Sequence, residues 1–213
     1  MFVLADGLGG CGHGELASRT AVNSVICRFR RGEENEAPPG LDELMENAQK
    51  AVMLKQEMVP EAANMCTTLV ILKIENNTAK WCHIGDSRLY MFRDGQVAFQ
   101  TLDHSVPQML VRMGEIKPED IRKHPDRNRL LHIVGKPWVE QKYVVAEPVE
   151  LKKGDAFLLC SDGFWEYIVE DEMCSILRQT KYPDEWLERM TEVVEKNGRG
   201  ENMDNYSAIC VRV

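Results

Sequence analysis

The sequence predicts an α+β layered sandwich, and three observations carry that reading. Two helical stripes occupy the first sixty residues, short β-rich runs separated by turns fill the middle, and two further helical stripes precede a last strand. Helices on both sides of strand runs bury their apolar faces by stacking in layers. The strand runs, joined by short turns, read as an antiparallel meander. A length of 213 residues suits one compact domain, 1–213.

Residues 1–5 read as a buried strand that opens the chain without a preceding turn, and Asp6 ends it. After the glycine-rich turn 7–14, residues 15–29 carry Leu16, Ala17, Ala21, Val25 and Ile26 on one helical stripe. Residues 30–40, with Pro38-Pro39, read as a charged loop. A second helix carries Leu41, Leu44, Met45, Ala48, Ala51 and Val52, with Pro60 beyond its end. Strands follow at 67–74, 80–83, 88–92 and 97–101, punctuated by turns at Asn76-Asn77 and Arg93-Asp94-Gly95. Residues 105–135, interrupted by Pro107, Gly114, Pro118 and Pro125, read as short helices and a lid-like loop. Strands are expected at 141–145 and 156–160 and helices at 170–179 and 184–196. The second of these helices turns Trp186, Leu187, Met190 and Val194 inward, and a last strand covers 206–213.

Composition narrows the function classes. Hydrophobic residues are 44% and charged residues 28%, ordinary for a globular protein. The formal charge of -8 argues against nucleic acid or an anionic membrane as partner, because both reward clustered Lys and Arg. Seven cysteines with no C-x-x-C pair read as reduced thiols, which implies a cytoplasmic setting. No apolar run is long enough for a bilayer span, and the short opening strand has no signal-peptide character.

The informative residues are aspartates at turns. Asp6-Gly7 follows the first strand, Gly85-Asp86-Ser87 separates two strands, Ser161-Asp162-Gly163 follows a third, and Asp204-Asn205 precedes the last. Mg²⁺ and Mn²⁺ take a few carboxylates and keep several waters, so carboxylates gathered from strand ends suit them. Ordinary turns also use Asp-Gly, and spacing alone does not bring the four together.

Taken in order, these segments resemble the metal-dependent Ser/Thr protein phosphatases of type 2C. Asp6-Gly7-Leu8-Gly9-Gly10 with Gly14-Glu15-Leu16-Ala17-Ser18 resembles the family's DG-x-GG and GE-x-AS motifs. Thr67-Thr68-Leu69, Gly85-Asp86-Ser87-Arg88, Thr101-Leu102-Asp103-His104-Ser105, Ser161-Asp162-Gly163-Phe164-Trp165 and Asp204-Asn205 resemble the rest. The resemblance implies a four-layer α-β-β-α sandwich of antiparallel sheets with a metal site at one end. It implies Asp6 bridging two Mn²⁺ or Mg²⁺ ions, a contact from Gly7, and Asp162 and Asp204 completing the first shell. Asp86 and Glu166, with Asp162 shared, would hold a possible third ion. The implied reaction is hydrolysis of phosphoserine or phosphothreonine in phosphorylated proteins by a metal-activated water. Residues 106–135 resemble the substrate-selecting flap of bacterial members.

Departures from the pattern set further expectations. The family's opening strand pair, with a phosphate-binding Arg and a Glu-Asp pair, lies outside the present sequence, so the sheets are expected to lack the usual first strands. An exposed sheet edge would then favour self-association, and a catalytically weak or inactive regulatory module is the alternative reading. Leu8 stands where some eukaryotic members carry a histidine. Cys11 and Cys66 replace a usual His and Gly and read as packed thiols rather than members of a zinc site with His13, Cys82 and His83. His83 is expected on a sheet surface, Arg88, Arg127 and Arg129 in solvent, and Trp165 and Trp186 in the core. Asp103, His104 and Ser105 are too close in sequence to form a hydrolase triad and read as a turn, Asp103 bonding backbone.

Overall fold

A computed structural model describes residues 1–35, 38–140 and 142–213. In chain order it contains β1 (Phe2–Leu4), α1 (Gly14–Asn35), α2 (Leu41–Met58), β2 (Leu69–Glu75), β3 (Thr78–Ile84), β4 (Arg88–Arg93), β5 (Gln96–Gln100) and α3 (Val106–Met113). There follow β6 (Val144–Val145), β7 (Val149–Glu150), β8 (Ala156–Cys160), α4 (Asp162–Trp165), α5 (Glu170–Gln179), α6 (Pro183–Asn197) and β9 (Ala208–Arg212).

Two antiparallel sheets pack face to face between two helical layers. One sheet runs β1-β2-β3-β6, with β7 also pairing with β3, and the other runs β5-β4-β8-β9. The alternation of strand side chains lets the central strands bury both faces, while the edge strand β5 leaves Gln96, Ala98 and Phe99 exposed. In β8, Ala156, Leu158 and Cys160 join the core under α5 and α6, while Phe157 and Leu159 point to the opposite sheet with Leu4, Val70, Leu72 and Leu89. All five residues of β8 are buried, so the strand reads as an unbroken apolar run. On the other side, Ala17, Ala21 and Val25 of α1 and Leu44, Ala48 and Val52 of α2 pack on Leu69, Ile71, Cys82 and Ile84. Trp165 and Trp186 are core residues, as expected, Trp186 meeting Phe92 edge-on at 5.1 Å.

Turn chemistry sets the register. Asn76 and Asn77 both have positive φ (48° and 60°), as do Asp94 and Gly95 (54° and 71°), which suits two-residue hairpin turns. These turns join β2 to β3 and β4 to β5.

The elements differ from expectation at several ends. Helix α1 continues to Asn35 through the segment expected as loop, because Gly32 alone, at about 1 kcal/mol, does not end a helix that runs on to within a few residues of Pro38. Residues 36 and 37 of that expected loop lie outside the described residues. The strand expected at 141–145 is reduced to Val144–Val145, with residue 141 also outside them. β7 and α4 were not expected, being too short to show a period. His83 is buried on the inner face rather than on a sheet surface: its Nε2 is 2.9 Å from the Leu102 carbonyl and its ring stacks on His104. Among the described residues no helix is long and apolar enough to cross a membrane.

Candidate metal centre

The register places the four aspartates at one end of the sandwich. The end of β1 lies beside the start of β2, with Leu4 opposite Val70, and the end of β3 lies there too, with Ile84 opposite Leu69. The turn 85–87 then carries the chain into β4. Arg88 at the start of β4 faces Cys160 at the end of β8, and Cys160 in turn faces Ala208 at the start of β9. Antiparallel pairing therefore gathers Asp6, Asp86, Asp162 and Asp204 at a common end, although they come from two sheets. They line one cavity of about 340 Å³ with Gly7. A neighbouring cavity of about 210 Å³ is lined by Asp162, Glu166 and Asp204 with Arg127 and Asn128.

Each acid is held by local backbone geometry. The Asp6 N–H donates to Thr68 Oγ1 at 3.0 Å, and the Asp6 carbonyl accepts from the Thr68 N–H at 2.8 Å and the Thr67 hydroxyl at 2.7 Å. Thr68 Oγ1 also lies 2.7 Å from Ser87 Oγ, joining this cradle to the Asp86 turn. Gly7 is packed backbone to backbone on Gly14, where an added Cβ would lie 2.0 Å from the Gly14 carbonyl oxygen. Asp86 follows Gly85, whose φ of +99° is open chiefly to glycine. Asp162 opens α4 and accepts from the Gly163 N–H at 2.7 Å. The Ser161 N–H donates to the Ser207 carbonyl and Ser161 Oγ accepts from the Ser207 N–H, each at 3.0 Å, tying the Asp204 segment to α4.

The electrostatics of the cavity suit a cation. Burial first, then the Asp162 charge, a hydrogen bond from Asp6 to Asp162, and Asp204, push the Asp6 carboxyl up to about 8. Burial, followed by Asp162, Asp103 and Asp6, holds Asp86 well above the usual carboxylate range. Asp162 is raised by burial, against the hydrogen bonds from Asp6 and the Gly163 N–H, and burial raises Glu166 against the pull of Arg127. Crowded, desolvated carboxylates favour either a proton or a positive ion. Among the described residues no three of them already close on one point. An all-oxygen set of this kind fits a hard divalent ion that retains several waters.

Residues without an expected role turn out to support the site. Arg88, expected in solvent, is buried, and its Nε and Nη2 donate to the two carboxylate oxygens of Asp103 at 2.8 Å each. Asp103 thus pairs with a side chain rather than with backbone. The Arg88 guanidinium carbon lies 3.4 Å from the Trp165 ring centre, and Trp165 Nε1 donates to the Asp86 carbonyl at 3.0 Å. The Gly85 N–H donates to His104 Nδ1 at 3.2 Å, while Ser105 Oγ accepts from the Gln108 N–H and caps α3. Asp103, His104 and Ser105 therefore act separately around the turn. Arg127, also expected in solvent, donates through Nε to Glu166 Oε1 at 2.8 Å, whereas Arg129 is exposed and meets Asp126. Cys11 and Cys66 are not packed thiols: they form a disulfide with Cα atoms 5.9 Å apart. The other five cysteines are free.

Comparison with known proteins settles the family. The model for protein phosphatase 2C matches residues 1–206. The chain belongs to the protein phosphatase 2C family. The serine/threonine protein phosphatase PstP of Mycobacterium tuberculosis is 32% identical over 218 residues, which take in 100% of this chain and 40% of that protein. The chain thus spans less than half the length of that relative. A crystal structure of the Mycobacterium tuberculosis serine/threonine phosphatase PstP/Ppp superposes with a TM-score of 0.83 at 30% identity, covering 99% of this chain and 87% of the other. The catalytic domain of PstP in complex with two manganese ions gives a TM-score of 0.78 at 29% identity, covering 98% and 86%. For a protein phosphatase 2C chain, the segments named from sequence as motifs are the same ones that the fold brings to the acidic end.

Proposed function

We propose that the chain hydrolyses phosphoserine and phosphothreonine in phosphorylated proteins with the help of Mn²⁺ or Mg²⁺. The observation that carries this reading is the convergence of Asp6, Asp86, Asp162 and Asp204, from four separate segments, on one acidic cavity. Asp6, Asp162 and Asp204, with the Gly7 carbonyl, would hold the principal ions, and Asp86 and Glu166 a possible third. When bound, such an ion supplies positive charge that lowers the pKa of water and offsets the charge of a phosphoryl group.

The hydroxyl and sulfur groups at the cavity are already engaged. Among the described residues lining the larger cavity, the one hydroxyl, Thr68, is shared between the Asp6 N–H and Ser87, and the one sulfur, Cys11, is in a disulfide. With these two engaged and the carboxylates assigned to the ions, water is the nucleophile of this reading. Asn128 and Leu130 line the cavity and Arg127 binds Glu166, which supports a flap role for residues 106–135 over the site. β1 and β9 are edge strands of their sheets, which supports self-association; a single monomeric species by light scattering at high concentration would count against it. A cytoplasmic location belongs to the same reading.

The experiment is phosphate release from a phosphothreonine peptide with Mn²⁺, with EDTA and Asp162→Asn as controls. Release that requires both the metal and Asp162 is the expected result. Metal binding without release would favour the regulatory module instead, and undiminished release by Asp162→Asn would remove the assignment.

A further inference from the structure

We propose that Cys11 and Cys66 form a reversible redox clamp that sets how firmly the Asp6 turn holds a divalent ion, an inference that rests on the metal-site reading above. Cys11 ends the short 3₁₀ turn Gly9–Cys11, five residues after Asp6, and lines the acidic cavity. Cys66 immediately precedes Thr67 and Thr68, the residues whose hydroxyls and amide fix the Asp6 backbone. The disulfide therefore ties the outer rim of the Asp6 turn to its cradle. A Cα separation of 5.9 Å lies within the range of about 4.4–6.8 Å that a disulfide spans without backbone movement.

Between its ends, which the Gly7–Gly14 packing and the Gly7–Thr67 bridge hold, the rim has few other restraints. The Leu8 N–H donates to the Cys66 carbonyl at 3.0 Å, but the next bonds, Cys11 N–H to Leu8 O and Gly12 N–H to Gly9 O, are internal to the turn. Gly9, Gly10 and Gly12 are exposed, and a Cβ at any of them would meet nothing within 4 Å. A glycine-rich rim with no packing has many conformations open to it once a cross-link is removed. Joining residues 55 apart in sequence closes off much of that freedom.

The two sulfurs differ in access. Cys66 is fully buried, whereas Cys11 is partly exposed at the cavity. Opening would proceed by attack of a small-molecule thiolate on the Cys11 sulfur, with the Cys66 thiolate leaving. A second thiolate then attacks the mixed disulfide and releases Cys11, so that two small thiols are oxidised to one disulfide as the clamp is reduced to two thiols. Closure is the reverse, with a small disulfide such as oxidised glutathione as electron acceptor. Of the other thiols, Cys82, Cys160 and Cys174 are buried, and burial pushes them and the Cys210 thiol up, whereas Cys27 is exposed on α1, away from the Asp6 turn.

The test equilibrates the protein with oxidised or reduced glutathione, removes the reagent and measures Mn²⁺ binding by calorimetry, counting free thiols by alkylation after unfolding in denaturant. Oxidised protein is expected to show five alkylatable cysteines of seven. It should bind Mn²⁺ about tenfold more tightly than the reduced form, the scale on which ligand-orienting groups alter metal affinity. Cys11→Ser should bind like reduced protein in both buffers, while Cys27→Ser, altered at an exposed thiol on α1, should respond like the parent. Equal affinity in the two states, seven alkylatable thiols after oxidation, or an undiminished response in Cys11→Ser would each overturn the clamp. Absence of Mn²⁺ binding in both states would overturn the metal site together with the clamp, an outcome distinct from equal binding.

Discussion

Removal of the Asp103 carboxylate is expected to destabilise the protein far more than a turn residue ordinarily would. Arg88 is 2% exposed and has given its Nε and Nη2 to Asp103, with Nη1 at 3.0 Å from the Tyr90 hydroxyl and its face on Trp165. Glu170 is 4.0 Å away and is already engaged by Arg122 at 2.9 Å, so it does not replace the two lost bonds. Asp103→Ala therefore strands a buried guanidinium, a change that costs about 3–5 kcal/mol. Set against a total stability of about 5–15 kcal/mol for a domain, that is a large fraction. The double variant Arg88→Met/Asp103→Leu leaves no uncompensated charge and should lose much less.

Urea unfolding of the parent, Arg88→Met, Asp103→Leu and the double variant gives the coupling energy directly. Because Trp165 binds both Arg88 and the Asp86 carbonyl, Asp103→Ala should also weaken metal binding at Asp86 while leaving the far end of the sandwich intact. A loss under about 1 kcal/mol for Asp103→Ala, or a double variant as unstable as the sum of the singles, would refute the argument that a stranded charge dominates.

Two further perturbations probe other links in the structure. Gly163→Ala would place a Cβ 2.4 Å from the Asn205 carbonyl and 3.0 Å from that of Asp204, so the Asp204 segment must shift. Mn²⁺ affinity should fall about 10-fold or more, the scale for disturbed ligand support, and calorimetry showing parental affinity would refute it. At the opposite end, Arg93 donates to both oxygens of Asp155 at 2.9 and 2.7 Å, and the Lys152 N–H donates at 2.8 Å. The Arg93 hydrogen bond holds the Asp155 carboxyl below its ordinary 3.8, against burial. A depressed native pKa means the stabilisation is present above about pH 4 and is lost as pH falls through the lower native value. Asp155→Asn should therefore be less stable than the parent by about 1.5–3 kcal/mol at pH 7, with the gap closing below pH 4. A gap independent of pH in acid unfolding would refute that assignment.

The parts of this structure that were legible in sequence are those with a local signal. Helices α2, α5 and α6 announced themselves by apolar periodicity, and β8 by an uninterrupted apolar run. Less legible was the fate of polar residues in the middle of such elements. His83 and Arg88 were expected outside because strands of a meander commonly have one solvated face. Here helices cover one face of each sheet and the partner sheet covers the other, so the end of β3 and most of β4 have no solvated side to offer. A polar residue in such a strand must then find a partner, and Arg88 finds Asp103 only because β4 and the segment after β5 lie side by side. That pairing, fifteen residues apart in sequence, has no periodicity to give it away.

The acidic site shows the same division between local and global information. Each aspartate could be placed at a strand end from its neighbours, but its company depended on registers. Once Leu4 faces Val70 and Ile84 faces Leu69, the ends of β1 and β3 must coincide. Once the short turn 85–87 connects β3 to β4, the second sheet must present its matching end, where β8 stops and β9 starts. Recognition of ordered motifs substituted for that reasoning and reached the same residues. It did not reach Cys11 and Cys66, because a departure from a family pattern carries no statement of what replaces it. Their pairing follows from the same register: Cys66 leads into β2, the Asp6 turn leads out of β1, and adjacent antiparallel strands bring those two segments together. Two departures that looked independent in sequence are one structural feature, which joins the rim of the Asp6 turn to its cradle.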